Sequence, residues 1–387
     1  MPPLPRTVKT LGVVSLLTDM SSEMIYPLLP SFLVGPLKAG PAFVGLVEGI
    51  AESVASLTRL VAGRISDQKP RRKPMIVAGY GLSSVMRPLV AVAAAPWHVL
   101  AIRTADRVGK GLRGAPRDAL LAEVTPVADF GRAFGFHRGM DHLGAVAGPL
   151  IASGLLLWRS DLRLVFALAA VPALASLVVL VLGVREEPRA VGIRTDAKGP
   201  AAPLPPGLRR YLFVVAVFTL GNSSDAFLLL RAQQAGVALA LVPLLWAALH
   251  VVKSSASTAG GALSDRFGRR PVITAGWILY ALVYGGLALA TRAWQVWALF
   301  AVYGLFTALT EGPERALVAE LAPASRRGAA FGAYYAVTGV MLLPASLLMG
   351  VLWQTVGPAT ALRAGAALAL AAALLLWAWV ERSPPPA

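Results

Sequence analysis

Runs of about twenty apolar residues recur from one end of this 387-residue chain to the other, and that recurrence limits the possible folds more than any single motif. A helix rising 1.5 Å per residue needs about 20 such residues to cross a hydrocarbon core about 30 Å thick. Within lipid, every backbone N–H and C=O must find a partner inside its own segment, so repeated spans of this length are α-helices. Only 14% of the residues are charged while 56% are hydrophobic, against roughly a quarter charged in soluble domains. Too few polar side chains remain to cover a water-facing surface. The expected fold class is an all-α polytopic membrane protein, and a large soluble protein with buried helices is the weaker reading.

Turn and charge signals cut the chain into helices over 8–34, 41–67, 74–95, 97–125, 130–157 and 162–184, then over 209–231, 236–264, 271–291, 294–321, 326–355 and 358–381. That makes twelve spans. Between the two sets lies VREEPRAVGIRTDAKGPAAPLPPGLRR, residues 184–210, whose Pro, Gly and charge mark an exposed segment. The expected organisation is a six-helix bundle over 1–184, a cytoplasmic linker over 185–208 and a second six-helix bundle over 209–387. The opening MPPLPRTVKTLGVVSLLTDM is expected to be the first span and not a cleavable signal, because Asp19 and Glu23 interrupt its apolar run.

A net charge of +16 is compatible with a nucleic-acid partner, but its distribution points to a membrane. One side receives Arg6, Lys9, the cluster KPRRK (69–73), the linker arginines, RFGRR (266–270) and Arg326–Arg327; the other receives only Lys38, Arg159, Arg163, Arg292 and Arg363. Lys and Arg accumulate in cytoplasmic loops, so both termini are expected in the cytoplasm of a multi-pass protein of the inner membrane. Trp97, Trp158, Trp294 and Trp353 read as interfacial anchors. Absence of cysteine excludes disulfides, thiol chemistry and Cys-based zinc.

The two halves repeat. GRISDQKPRR (63–72) returns as GALSDRFGRR (261–270), 261 against 63 being an offset of 198. APRDALLAEVTP (115–126) returns as GPERALVAELAP (312–323), and RAFG (132–135) as AAFG (329–332), each at an offset of 197. SSE (21–23) is echoed by SSD (223–225). A duplicated bundle of this kind places a substrate site between its halves.

On these residues the chain resembles the major facilitator superfamily along essentially its whole length. Gly63, Asp67, Arg71 and Arg72 match the family's loop 2–3 signature, and Gly261, Asp265, Arg269 and Arg270 match its copy in loop 8–9. Arg103, Gly109 and Gly111 fit the Arg-containing motif of the fourth helix, with Asp106 where a Gln is common and Arg107 where a Gly is common. Gly135, Gly144, Gly148 and Pro149 fit the fifth-helix motif found mostly in exporters, whose trailing Gly-Gly is Ala152-Ser153 here. The resemblance implies alternating access between two six-helix bundles, with no cofactor, and leaves the substrate unassigned.

The loop signature also has a physical reading. Glycine at a helix end lets another backbone approach, and an Asp four residues on can accept from a helix N-terminus or an Arg, latching one conformation. A plain positive-inside loop would need only Arg71, Arg72 and Lys73. The doubled pattern at matching places favours the latch.

The stretch ADRVGKGLRGAPRDALLAE (105–123) looks at first like a phosphate loop. Thr104 and the Gly111 that follows Lys110 break that pattern, and nucleic acid does not reach membrane depth. On a helix at about 100° per residue, Arg103, Asp106, Arg107, Lys110, Arg113 and Arg117 fall within a sector of roughly 120°. Ala101, Ala105, Val108 and Leu112 take the other face. Each central Arg or Lys costs at least about 2.5–3.5 kcal/mol in lipid, so the charged face is expected to look inward, onto a wet cavity or carboxylates.

Candidate partners are Asp19 and Glu23 on the first helix and Glu48 and Glu52 on the second, each pair spaced i,i+4. Asp19, Glu52 and Arg107 lie about 10–11 residues from their helix starts, near the bilayer midplane at 1.5 Å per residue. The fifth helix adds His137, Arg138, Asp141 and His142, with GAVAG (144–148) as a packing face. His137 and His142 sit about 140° apart and do not easily share one metal ion. Proton-coupling candidates are therefore Asp19, Glu23, Glu48, Glu52, Asp106 and Asp141, with Asp19 and Glu23 foremost. Substrate-cavity candidates are Arg103, Arg107, Lys110, Arg113, His137, Arg138, Asn222, Asp225, Glu311 and Tyr334, with Tyr26, Trp246 and Tyr335 as further aromatic lining. The second half is sparser in charge, holding also His250, Lys253, Glu314 and Arg315.

The function expected is secondary transport of a small organic anion or zwitterion coupled to protons, working outward, in a monomer embedded in the bilayer. Uptake by symport and export of a divalent metal are the transport alternatives. An intramembrane enzyme would need a nucleophile–base set or an HExxH motif, and neither is found in the sequence.

Overall fold

The computed structural model describes residues 4–67, 71–125, 130–186, 204–322 and 327–380. The side chains of Arg64, Asp67 and Thr258, and of residues 130–132, 135 and 327–329, fall outside that description. The expected roles of Asp67 and Gly135, and most of the linker, therefore lie outside the described residues.

The described chain is helical throughout. Its α-helices are α1 Arg6–Ile25, α2 Leu29–Val34, α3 Pro41–Asp67, α4 Lys73–Met86, α5 Pro96–Glu123, α6 Phe130–Trp158, α7 Leu162–Leu168, α8 Ala170–Gly183, α9 Pro206–Gly221, α10 Ala226–Gln234, α11 Val242–Phe267, α12 Arg269–Leu289, α13 Ala293–Leu321, α14 Arg327–Thr355 and α15 Pro358–Trp379. Among the described residues, nine helical segments are long and apolar enough to cross a membrane. The three further segments expected as spans are helical, as α1 with α2, α3 and α5, but are not among these nine. They fall short on composition because they carry the acids and arginines of the first half, such as Asp19, Glu23, Glu48, Glu52, Arg103 and Arg107.

Two of the expected spans are interrupted. The first passes through a 3-10 turn at Tyr26–Leu28 containing Pro27, which has no N–H to donate. The seventh unwinds between Gly221 and Ala226. There Tyr280 donates to Gly221 O (2.9 Å), Ser224 Oγ accepts from Ala226 N–H (3.2 Å) and Ser346 Oγ accepts from Ser224 N–H (3.4 Å). Side chains thus satisfy backbone groups that a continuous helix would have paired, as membrane depth requires.

The chain forms two compact units. The first comprises Met1–Ala39, Ile50–Arg194 and Ala238–Ala247; the second comprises Gly40–Gly49, Thr195–Val237 and Ala248–Ala387. In the first, α1 packs closely on α6. A Cβ at Gly144 or Gly148 would collide with the carbonyl oxygens of Leu16 and Met20, so only glycine permits this approach. Val8, Leu11, Val14, Ile76, Tyr80, Leu120 and Leu180 close the core at one end. In the second unit the core is aromatic: Phe218 stacks on Trp277 with centroids 4.4 Å apart, and Tyr280 stacks on Tyr284 at 4.1 Å. Trp97, Trp158 and Trp294 are exposed as interfacial anchors should be, whereas Trp353 is buried against Phe227 at 5.6 Å. Trp353 is a packing residue of the second unit, because α14 turns that face onto α10.

Candidate functional site

The charged face of α5 does turn into its own unit. Arg103, Asp106, Arg107 and Arg113 are all buried, Lys110 and Arg117 are half-buried, and Ala101 is exposed. Most of these charges are neutralised pairwise. Asp106 Oδ1 accepts from Arg87 Nε at 2.9 Å, and Arg87 Nη1 also donates to Thr18 O at 2.8 Å. Arg103 stands 3.8 Å from the other Asp106 oxygen and 5.3 Å from the Tyr26 ring centroid. Arg107 pairs with Glu52 at 3.3 Å. Arg113 donates to Ser83 Oγ at 2.8 Å and lies 4.4 Å over the Tyr80 ring. Arg117 pairs with its neighbour Asp118 at 2.8 Å.

On α1 and α6, Asp141 accepts from Ser15 Oγ and stands 3.5 Å from His137 Nδ1 and 3.4 Å from the exposed Arg138. Glu23 accepts from Trp246 Nε1 at 2.8 Å, and Trp246 packs on Tyr26 at 5.1 Å. Asp19 is different. It makes no hydrogen bond or ion pair among the described residues, and the charged groups that act on it are Asp141, Glu23, Arg113 and Lys110. Lys110 likewise has no paired partner there; Arg107, Glu52, Asp19 and Arg59 act on it. Glu48 and Glu52 lie one turn apart on α3, Glu48 buried and Glu52 half-buried.

The second unit holds a smaller polar set. Asn222 ends α9, its N–H bonded to Phe218 O at 2.9 Å. Asp225 accepts from Tyr303 at 2.6 Å and stands 3.8 Å from Lys253. Glu311 is exposed and 3.8 Å from Arg315. Glu314, one turn further on, is the buried acid: it accepts from Trp277 Nε1 at 3.0 Å and from Tyr334 at 2.6 Å. Tyr335 is exposed. Among the described residues no three His, Asp or Glu side chains gather as a metal site would require.

The loop signatures form ion pairs inside each unit. Arg72 Nη1 donates to Glu123 Oε2 at 2.6 Å, and Arg269 Nε donates to Glu320 Oε1 at 3.0 Å. Lys73 Nζ donates to Val181 O and Val184 O (2.9 and 2.6 Å), just as Arg270 donates to Val380 O (2.8 Å) and Trp377 O. Arg269 also pairs with Asp265. The matching residues are therefore Arg72 with Arg269 and Lys73 with Arg270, one position from the sequence alignment of Arg71 with Arg269. Arg71 is exposed. The expected backbone approach at the signature glycines is not found. A Cβ on Gly63 would meet only Ala115 Cβ at 3.4 Å, and one on Gly261 would meet nothing within 4 Å among the described residues.

Sequence reading missed Arg87, although a lone Arg inside the apolar run 74–95 was a signal, since intramembrane charges are rarely idle.

The Major Facilitator Superfamily profile matches residues 11–252 and 212–387. An uncharacterized MFS-type transporter of Methanocaldococcus jannaschii is 33% identical over 380 residues, covering 96% of this chain and 94% of that one. Multidrug resistance protein MdtH of Edwardsiella ictaluri is 31% identical over 142 residues, 37% of this chain and 35% of its own. The solved structure of the nucleoside transporter NupG superposes with a TM-score of 0.80 at 13% identity, covering 97% of this chain and all of the other (100%). Buried charge inside a set of long apolar helices and a profile match along the whole chain agree: the protein belongs to the major facilitator superfamily of membrane transporters.

Proposed function

We propose that this transporter exports a small zwitterionic organic molecule in exchange for protons, by alternating access, through twelve spans of the cytoplasmic membrane, as a monomer with both termini in the cytoplasm; a plain anion carried together with a proton is the second reading. The observation that carries the reading is the pair left over when the ion pairs of the first unit are set aside. Asp106, Glu52, Asp141 and Glu23 each have a partner, whereas Asp19 and Lys110 have none among the described residues and act on each other through space. An unpartnered carboxyl beside an unpartnered ammonium in a low-dielectric interior is poised to exchange a proton or a ligand charge.

The chemistry of that pair links substrate charge to direction. Ionised Asp19 holds the ammonium of a zwitterion while Lys110 holds its carboxylate; protonation of Asp19 removes one contact and releases the molecule. Proton and substrate then compete, which is antiport. For a plain anion the sign reverses: protonation of Asp19 frees Lys110 to bind, proton and anion travel together, and the result is symport. Export is favoured by the α1–α6 glycine packing, which matches the motif seen mostly in exporters, and by the partial likeness to the MdtH proteins. The breaks at Tyr26–Leu28 and after Gly221 fit the discontinuous helices that flank transporter sites.

The test begins with a thermal-shift screen against metabolites and antibiotics, followed by flux of any hit in proteoliposomes. Asp19→Asn is expected to lower uphill flux driven by a pH gradient by about tenfold or more and to weaken substrate counterflow as well, because it removes the ammonium contact. Uphill flux of wild-type size in that variant would remove Asp19 from the reading. Counterflow in oriented vesicles separates antiport from symport.

A further inference from the structure

The second unit contains a buried acid that the proposed exchange at Asp19 does not use. Glu314 is 8% exposed, Trp277 is fully buried, and Tyr334 is 7% exposed. Both carboxyl oxygens are engaged, Oε1 by Trp277 Nε1 at 3.0 Å and Oε2 by the Tyr334 hydroxyl at 2.6 Å. Both donors are neutral. Across the elements packed around it, the other titratable groups are Tyr211 on α9 and, on α13 itself, Glu311 and Arg315. Arg315 is directed to Glu311, and both are exposed. Tyr211 is fully buried and its hydroxyl has no hydrogen-bond partner among the described residues. No cation is therefore within ion-pair distance of Glu314 among the described residues, which sets it apart from Asp106, Glu52 and Asp225.

An internal comparison strengthens the case. Trp277, Glu314 and Tyr334 lie 197 residues after Tyr80, Arg117 and His137. At the same place in the repeat one half carries a permanent cation and the other a carboxyl. An arginine there keeps its charge under all conditions, whereas a carboxyl can shed its own by taking up a proton. With apolar and aromatic walls and no cation, a carboxyl is stable only with a counter-charge.

We propose that Glu314 is a proton-binding site of the second unit. The geometry also says which oxygen takes the proton. Trp277 Nε1–H can only donate, so Oε1 must remain an acceptor in both states. The proton resides on Oε2, where the Tyr334 hydroxyl switches role: it donates to the ionised carboxylate and accepts from the neutral acid. Binding and release exchange one proton with water and break no other bond. This site is separate from Asp19, and its measurement needs no substrate and no transport.

Infrared difference spectroscopy of the full-length protein in lipid, stepped through pH, provides the test. A carboxylic C=O band that disappears as the pH rises is expected, and Glu314→Gln should remove it. Trp277→Phe should retain that band and move it to higher wavenumber, because Oε1 loses its donor. Should Glu314→Gln fail to fold, the Trp277→Phe shift carries the test alone. Infrared difference spectra in which Glu314→Gln removes none of the pH-dependent carboxylic bands, or in which Trp277→Phe moves none of them, would overturn the proposal. Loss of the band together with normal flux in Glu314→Gln would confirm the proton site and separate it from the exchange at Asp19.

Discussion

Helices α5 and α13 are the same helix in the two repeats, yet they carry opposite chemistry. At an offset of 197, Arg103, Asp106, Arg107, Lys110 and Arg113 correspond to Phe300, Tyr303, Gly304, Thr307 and Thr310, and Arg87 corresponds to Tyr284. The buried Arg87–Asp106 ion pair of the first unit is thus a tyrosine pair in the second, with ring centroids 6.4 Å apart. The ends of these helices have not diverged in that way: Arg72–Glu123 and Arg269–Glu320 make equivalent pairs. Duplication has kept the fastenings at the loops and replaced the interior. The first unit fills it with ions that must be matched one to one, the second with aromatic surface that tolerates imperfect matching.

This contrast can be broken at its strongest point. Asp106→Asn leaves Arg87 buried and unmatched and is expected to cost about 3–5 kcal/mol, whereas Tyr303→Phe in the second unit should cost no more than about 1.5 kcal/mol. Thermal unfolding of the purified protein in one detergent would rank them. The double change Arg87→Tyr with Asp106→Tyr, which copies the second unit, is expected to recover most of the loss, since apolar replacement of a buried ion pair is often neutral. If the double variant is no better than Asp106→Asn, the two interiors are not interchangeable.

Close helix packing gives the next largest effect. Gly148 leaves no space for a Cβ against Met20 O, while its counterpart at the same offset is the buried Ala345. Gly148→Ala should cost about 1–3 kcal/mol, and Ala345→Gly about 1 kcal/mol or less. Equal melting shifts would mean that α6 and α14 pack alike after all. The smallest effects belong to the shared fastenings. Glu123 and Glu320 are more than a third exposed, so Arg72→Ala and Arg269→Ala should each lower stability by only about 0.2–1 kcal/mol. A much larger loss at one of them would show that the loops had diverged too.

Much of the scaffold could be read directly. Segment ends expected at 41–67, 97–125, 130–157 and 358–381 lie within a few residues of α3, α5, α6 and α15, because apolar length and terminal Pro, Gly and charge act locally. The packing of Gly144 and Gly148 was legible for the same reason. The break after Gly221 was not expected, although Asn222, Ser223, Ser224 and Asp225 hold the polar groups that make it tolerable. The role of Trp353 was misread because an aromatic near a helix end can face lipid headgroups or a neighbouring helix equally well. The one-residue slip that puts Arg72 and Lys73 in the places of Arg269 and Arg270 was invisible, since adjacent basic residues align in either register.

By itself, the sequence determined the helical class, the membrane setting, the duplication and the face on which α5 gathers its charge. Each of these follows from periodicity and length along one segment, and burial in lipid leaves few alternatives. Only the tertiary structure decided which charges cancel. Arg87 meets Asp106 from another helix, Glu314 is buried while Glu311 is not, and Asp19 and Lys110 make no ion pair among the described residues. Pairing depends on distances of a few ångströms between side chains far apart in the chain, and Coulombic energy in a low-dielectric interior changes steeply over that range.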